Sequence, residues 1–297
     1  MRRSGAPPGA PDRAAVARVA LGVAYDGGGF HGFAGQPGQR TVAGALEGAL
    51  AELGAAGSPL TCAGRTDAGV HALAQVVHVD LDPAWLAALA RGRGAQDVSL
   101  EPGSELPRLA SALSALVAPD VVVWRATVAP PSFDARRSAV ARRYRYELDL
   151  EEHGNPLTRH VSWHVGGPLD LAVMRLATDP VLGEHDFAAF CRRPPDRPEG
   201  PITRRVTDAR WVADGPATLR FEIEAVAFCH QMVRSVVGAI VAAGSGRIRP
   251  SDVVALLRSG SRSGAPPIAP PHGLALVAVA YPEELGGRWE WPGSRAP

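Results

Sequence analysis

The sequence predicts a mixed α+β protein built as two similar halves, each a largely antiparallel sheet flanked by helices. Three observations predict it. Stretches that alternate with period two outnumber simple strand–helix alternation, which favours antiparallel pairing over a doubly wound parallel sheet. The second half, from about residue 128, repeats the grammar of the first. A chain of 297 residues, 46% hydrophobic and 21% charged, has the length and composition for one large domain or two ordinary ones, each with a real core.

In chain order, residues 1–15 hold little beyond Pro, Gly, Ala and Arg and read as a tail. The N-terminal half, 16–127, starts with a strand whose Val19, Leu21, Val23 and Tyr25 share one face, ending at Asp26-Gly27-Gly28-Gly29. Val42, Ala45, Leu46, Ala49, Leu50 and Leu53 fall at helical spacing behind Thr41, a suitable N-cap. Gln75 to Leu81 alternates as a half-buried strand. Residues 91–108 are too rich in Gly and Pro to be regular and read as an inserted loop. A helix over 109–117 and a strand over 121–124 complete this half.

The C-terminal half, 128–283, carries strands at 143–150, 160–165, 203–213 and 217–226. Its first helix, 229–243, has a wide apolar face of Met232, Val233, Val236, Val237, Ile240 and Val241. A second begins at Ser251 or Asp252 and runs through Val253, Leu256 and Leu257. The last strand, 274–281, is apolar on both faces and so belongs in the middle of a sheet. Residues 284–297 read as a second tail.

Composition excludes several functions. No apolar run approaches the ~18–20 residues that span a bilayer, and the basic start has no apolar stretch behind it, so it is no secretory signal. The cytoplasm is the default address. All 31 basic residues apart from histidine are Arg, so lysine chemistry such as a Schiff base or a P-loop is excluded. With a net charge of +1, any nucleic acid must be met by locally clustered arginines. Cys62, Cys191 and Cys229 are an odd number without a C-x-x-C pair, which argues against a disulfide framework and a zinc site and for small buried thiols. No metal site is expected.

The chemistry concentrates in Cys62-Ala63-Gly64-Arg65-Thr66-Asp67-Ala68-Gly69-Val70-His71, where a carboxylate and a guanidinium share a glycine-bracketed loop between strands. Glycine lets another chain come close, so Asp67 can be presented to a ligand. The plainer alternative is a tight turn with Asp67 capping its own backbone and Arg65 as its solvated partner. A second stretch, Arg136 to Leu150, places Tyr144, Tyr146, Leu148 and Leu150 on one face of a strand and Arg143, Arg145, Glu147 and Asp149 on the other. Its arginines, Arg136 and Arg142 among them, suit planar bidentate contact with phosphate, or a solvated strand edge. For Arg145, Tyr146 and Glu147 the expectation is sheet packing and cross-strand ion pairs.

In these segments the chain resembles the tRNA pseudouridine synthases of the TruA family. The loop at 64–72 is similar to the family's G-R-T-D-A-G-V-H-A, and 141–146 to its A-R-R-Y-R-Y. Tyr25-Asp26-Gly27, Phe30-His31-Gly32-Phe33, Gly183-Glu184-His185-Asp186-Phe187, the Phe228 to Gly238 helix and His272-Gly273-Leu274 also match, so that the likeness spans about 19–282. The resemblance implies the pseudouridine synthase fold, an active-site cleft between the halves, no cofactor, a homodimer, and uridines 38, 39 and 40 of the tRNA anticodon arm as substrate. It implies Asp67 as nucleophile or base, Arg65 as its orienting partner, and Tyr144 as the ring that stacks on an extruded uracil near the proton leaving C5.

The chain departs from the family pattern at several points. Phe33-Ala34 replaces Trp-Gln, Ser114 stands where Asn is common, Asp134 and Arg137 flank Arg136 in place of His and Phe, and 91–108 is added. Phe33 thereby becomes a candidate of the RNA-contacting rim, with Arg136 and Arg142. His185, His230 and Arg234, taken singly, fit polar core partners better than catalytic groups. Two other functions compete: a catalytically silent tRNA-binding protein, and a metal-dependent hydrolase using Asp67, His71 and His78, whose spacing matches no ligand motif.

Overall fold

The computed structural model describes residues 16–55, 59–91, 99–193 and 199–293. The tail expected over 1–15 and positions 92–98 of the expected insertion lie outside them. In chain order the elements are β1 (Ala17–Tyr25), α1 (Val42–Glu52), β2 (Thr61–Cys62), β3 (His71–Leu81), α2 (Pro83–Arg91), α3 (Pro107–Val117), β4 (Val121–Val128), β5 (Ala141–Asp149), β6 (Trp163–His164), α4 (Leu171–Thr178), β7 (Gly183–Asp186), β8 (Thr203–Ala213), β9 (Thr218–Ala225), α5 (Met232–Gly244), α6 (Pro250–Ser259), β10 (Leu274–Ala280) and β11 (Arg288–Glu290).

The strands form one sheet in the order β4-β1-β3-β10-β5-β9-β8-β7, with β2 on β3, β6 on β5 and β11 on β10. Pairing is antiparallel except where β10 meets β3 and where β6 meets β5. The chain's late strand β10 is thus the seam between β3 of the first half and β5 of the second. Its residues explain that place: Leu274, Leu276, Ala278 and Val279 are buried, and a strand without a polar face is stable only between neighbours with layers on both sides.

Local signals account for the helix ends. Thr41 Oγ1 accepts from the Gly44 amide at 3.2 Å and starts α1. Helix α2 follows Asp82, whose carboxylate accepts from the Trp85 amide at 2.8 Å, with Pro83 in the first turn. Ser114 ties α3 to β4, donating to the Val123 carbonyl and accepting from the Val123 amide. Helix α5 starts at Met232, later than its apolar pattern suggests, because Gln231 sits in the left-handed region with φ of 65°. Every α5 residue except Arg234 is buried.

Three expectations need correction. The strand expected over 160–165 shrinks to β6, since Val161 and Ser162 amides turn back onto the Thr158 carbonyl. The stretch expected as a tail from 284 instead returns to the sheet: β11 pairs with β10, and Trp289 is buried beside Trp124 with the Arg125 guanidinium 4.5 Å above its ring. Residues 294–297 lie outside the described part. Finally, Cys191 and Cys229 form a disulfide across 38 residues, which their odd number and spacing gave no sign of, because only the fold brings them together. Cys62 alone is the buried free thiol expected of all three.

Candidate active site

The 63–70 loop between β2 and β3 is held from three sides. From the first half, the Phe33 amide donates to the Thr66 carbonyl at 3.1 Å, the Gly69 amide to the Phe30 carbonyl at 3.3 Å, and Tyr25 Oη lies 2.8 Å from Thr66 Oγ1. From β3, the Gln75 side chain brackets Gly64, donating to its carbonyl at 2.7 Å and accepting from its amide at 3.4 Å. From β5, Arg142 donates twice to the Ala63 carbonyl, at 3.0 and 2.8 Å. Gly69 has φ of 77°, and a Cβ there would stand 3.0 Å from Pro271, so the turn after Asp67 requires glycine.

This framework fixes Asp67 at the junction of the halves, its side chain 20% exposed. The Arg234 guanidinium donates to Asp67 Oδ2 at 3.0 Å, and His230 Nε2 lies 3.3 Å from Oδ1. Arg234 is itself anchored, donating through Nε to the Ala269 carbonyl at 2.9 Å. Both carboxylate oxygens therefore have a nitrogen partner from the segment that opens α5. Charge-assisted contacts of this kind fix orientation as well as energy.

Tyr144 completes the constellation. Its hydroxyl is 3.6 Å from the position a Cβ would take on Gly64, so the phenol lies against the loop at this glycine and a larger side chain at 64 would crowd it. Phe228 meets the ring edge to face at 5.1 Å. Burial raises the phenol above its ordinary value, with Arg142 opposing and the Asp67 charge adding to the rise. Tyr144 therefore stays a neutral hydroxyl at physiological pH and offers an apolar ring and a proton donor, not a phenolate. Nearby Cys62 is inert: burial pushes its thiol up to about 11.

The other expected site residues are placed differently. Arg65 does not pair with Asp67; it is exposed, and Arg234 makes that contact from 167 residues further along the chain. Arg142 is buried and donates to the carbonyls of Ala63, Arg136, Ala139 and Val226, so no donor remains for phosphate. Phe33 is likewise in the core, 2% exposed and packed against Tyr25, and cannot form an RNA-contacting rim. Arg136 is exposed, next to a turn in which Asp134 accepts from the 136 and 137 amides.

His230 and Arg234, expected as core partners, are instead at the carboxylate. His185 does behave as a structural group, its Nε2 2.7 Å from the Leu182 carbonyl and its ring against Phe187. The ion pairs expected on β5 are present: Arg145 with Glu147, Glu147 with Arg220, and Arg143 with Glu224, while Tyr146 donates to the Pro270 carbonyl. His71 accepts from the Gly27 amide and His78 from the Ala135 amide, so neither joins Asp67. Among the described residues no group of three His, Cys, Asp or Glu is placed to hold a metal ion. One signal for Arg234 was legible: it is the single charge in a helix that is apolar but for Ser235, and such a charge needs a partner.

A family model described as tRNA pseudouridine synthase matches residues 177–282. Taken with the relatives described next, and with the α+β fold and its mostly antiparallel sheet, that match makes the chain an RNA-modifying isomerase of the pseudouridine synthase class. Proteins called tRNA pseudouridine synthase A from Leifsonia xyli subsp. xyli and Frankia casuarinae are 44% and 43% identical to it, each over 280 residues. The alignments take in 92% of this chain and 95% of the first protein, and 93% and 94% for the second. The protein of that name from Streptomyces griseus is 42% identical over 274 residues, 90% of this chain and 89% of its own. The chain belongs to the tRNA pseudouridine synthase A family. No described helix is long and apolar enough to cross a membrane.

Proposed function

We propose that this enzyme converts uridines 38, 39 and 40 of the tRNA anticodon arm to pseudouridine, with Asp67 as the nucleophile and without a cofactor. The reaction breaks the N1–C1′ bond, turns the uracil and joins C5 to C1′; C5 gives up a proton, N1 gains one, and no electrons are exchanged. The observation that carries the proposal is the Asp67 carboxylate, held by Arg234 and His230 in a braced loop and near enough to Tyr144 for its charge to act on the phenol.

In this mechanism the base leaves its stack and enters beside the loop at Tyr144, whose ring supports it. Arg234 keeps one carboxylate oxygen in place, leaving the carboxylate aimed at the ribose or the base. Tyr144, neutral throughout, donates a hydrogen bond to the base while it turns. The proton from C5 passes to solvent, with the half-exposed His230 as the adjacent imidazole. Exposed Arg65 and Arg136 face outward as RNA contacts, a role changed for Arg65 from that of orienting partner. The enzyme works in the cytoplasm as a homodimer.

Release of tritium from C5-tritiated tRNA tests the proposal. Stoichiometric release that chelator does not diminish supports it. Binding of tRNA with no release would leave the silent tRNA-binding alternative, since both should bind with a marked salt dependence, and release abolished by chelator would support the hydrolase-like use of a metal.

A further inference from the structure

A hollow lies one residue beyond His230. It has a volume of about 500 Å³ and is lined by Arg192, Arg193 and Arg262 together with Gln231, Gly260 and Ser261. Among the described residues no carboxylate lines it; the nearby Asp186 carboxylate, beside Gly260, accepts from the Ala188 and Ile202 amides. Among the described residues none of the three guanidinium groups has a hydrogen-bond or ion-pair partner, in contrast to Arg18, Arg125, Arg210 and Arg288, each of which faces an acid. In a chain whose net charge is +1, three like charges with no acid paired to them among the described residues repel one another around this concavity, and an entering anion relieves the repulsion.

The walls of this hollow are fixed, and one of them is also a wall of the active site. The Cys191–Cys229 disulfide joins the strip carrying Arg192 and Arg193 to the strip carrying Gln231. The Arg192 amide adds a bond to the His230 carbonyl at 2.9 Å. Gln231 holds a left-handed conformation, the only non-glycine residue with positive φ among those described, and such strain persists where surrounding structure enforces it. On the far side Gly260, with φ of 60°, ends α6 and turns the chain towards Arg262. His230, between Cys229 and Gln231, has its ring 3.3 Å from Asp67. The hollow and the carboxylate are therefore two sides of one short segment.

We infer that this hollow holds a backbone phosphate of the RNA, belonging to the nucleotide processed at Asp67 or to its neighbour in the strand. The inference rests on the proposed function for the identity of the RNA. Guanidinium groups bind phosphate through planar, paired donors, and phosphate contacts set the register of a nucleic acid without reading its sequence. A phosphate held here positions the strand so that the attached ribose reaches the carboxylate. Anchoring through the disulfide keeps the phosphate site and the carboxylate at a constant separation.

The test replaces Arg192, Arg193 and Arg262 together by Ala and, in a second protein, by Lys, and measures the Kd of an anticodon stem-loop RNA against salt concentration. Removing the guanidinium groups raises Kd about tenfold or more and lowers the slope of log affinity against log salt by roughly 0.7 for each phosphate no longer neutralised. The Lys protein keeps most of the slope, because the charge is retained while the paired geometry is not. An unchanged Kd and slope in the Ala protein overturns the inference. So does a result in which inorganic phosphate raises the melting temperature of the unaltered protein but not of the Ala protein while RNA affinity is the same in both, since the hollow is then a site for a free anion. Tritium release by the unaltered protein is scored separately: its absence removes the proposed function, while the salt slopes still decide whether the hollow binds RNA phosphate.

Discussion

Arg142→Met separates a buried structural arginine from an RNA ligand, two roles that the same residue type serves. The guanidinium donates to Ala63, Arg136 and Ala139 at 2.6–3.3 Å and also to the Val226 carbonyl. Methionine keeps the apolar stem and removes every donor. Water can reach the carbonyls of exposed Arg136 and Val226, whereas Ala63 and Ala139 are 2% and 6% exposed. Two buried acceptors without partners cost about 1–3 kcal/mol each. Part of this is offset because burial already disfavours the Arg142 charge, holding its pKa below the usual arginine value. The expected loss is about 2–4 kcal/mol, or roughly 3–7 °C in Tm for a chain of this size. Urea unfolding followed by circular dichroism and by tryptophan fluorescence measures it, with RNA affinity at low temperature unchanged in salt slope. A loss below about 0.5 kcal/mol, with a lower salt slope, would refute the argument and put Arg142 on phosphate.

Further outcomes follow from the same geometry. Arg234→Ala leaves Asp67 Oδ2 without its 3.0 Å partner, and kcat falls roughly 10²–10³-fold, as expected for breaking one half-buried charge pair at a reacting group; single-turnover kinetics at saturating RNA reads this. All four tyrosines, Tyr25, Tyr144, Tyr146 and Tyr281, have folded pKa values raised by burial. Between the unfolded value near 10 and the higher folded ones, the native chain keeps protons that the unfolded chain loses. Stability is thus complete below about pH 10 and falls above it, and tyrosinate absorbance rises in one cooperative step together with loss of circular dichroism. Trp289→Ala destabilises the protein by about 3–5 kcal/mol in urea unfolding, because β11 is part of the sheet and Trp289 is 2% exposed.

The parts of the fold legible in the sequence are those governed by neighbours in the chain. The alternation along β5, the Thr41 cap and the two-sided apolar character of β10 are local patterns, and each led to the observed element. The turn around Asp67 was legible for the same reason, since its glycines and carboxylate lie within ten residues. What failed was long-range. Arg65 is only two residues from Asp67 in sequence, but it is exposed, and the partner comes from α5. Arg142 and Phe33 carry groups that suit RNA, yet the fold uses one to brace the loop and the other to fill the core beside Tyr25. The Cys191–Cys229 link and the return of 288–290 to β10 depend on distances that no spacing encodes. Arg234 was the exception, a lone charge in an apolar helix that asked for an acid without naming it.

Whether the carboxylate of Asp67 performs the chemistry is decided by tritium release from C5-tritiated anticodon stem-loop RNA by Asp67→Asn under single-turnover conditions. Asparagine has nearly the same shape and can still face Arg234 and His230, so folding and RNA affinity stay close to those of the unaltered protein. Release is expected to fall by about 10⁴-fold or more, the order that follows when an essential nucleophile is removed. Release within about tenfold of the unaltered rate, with tight RNA binding retained, would contradict the role given to Asp67 and move the chemistry to another group.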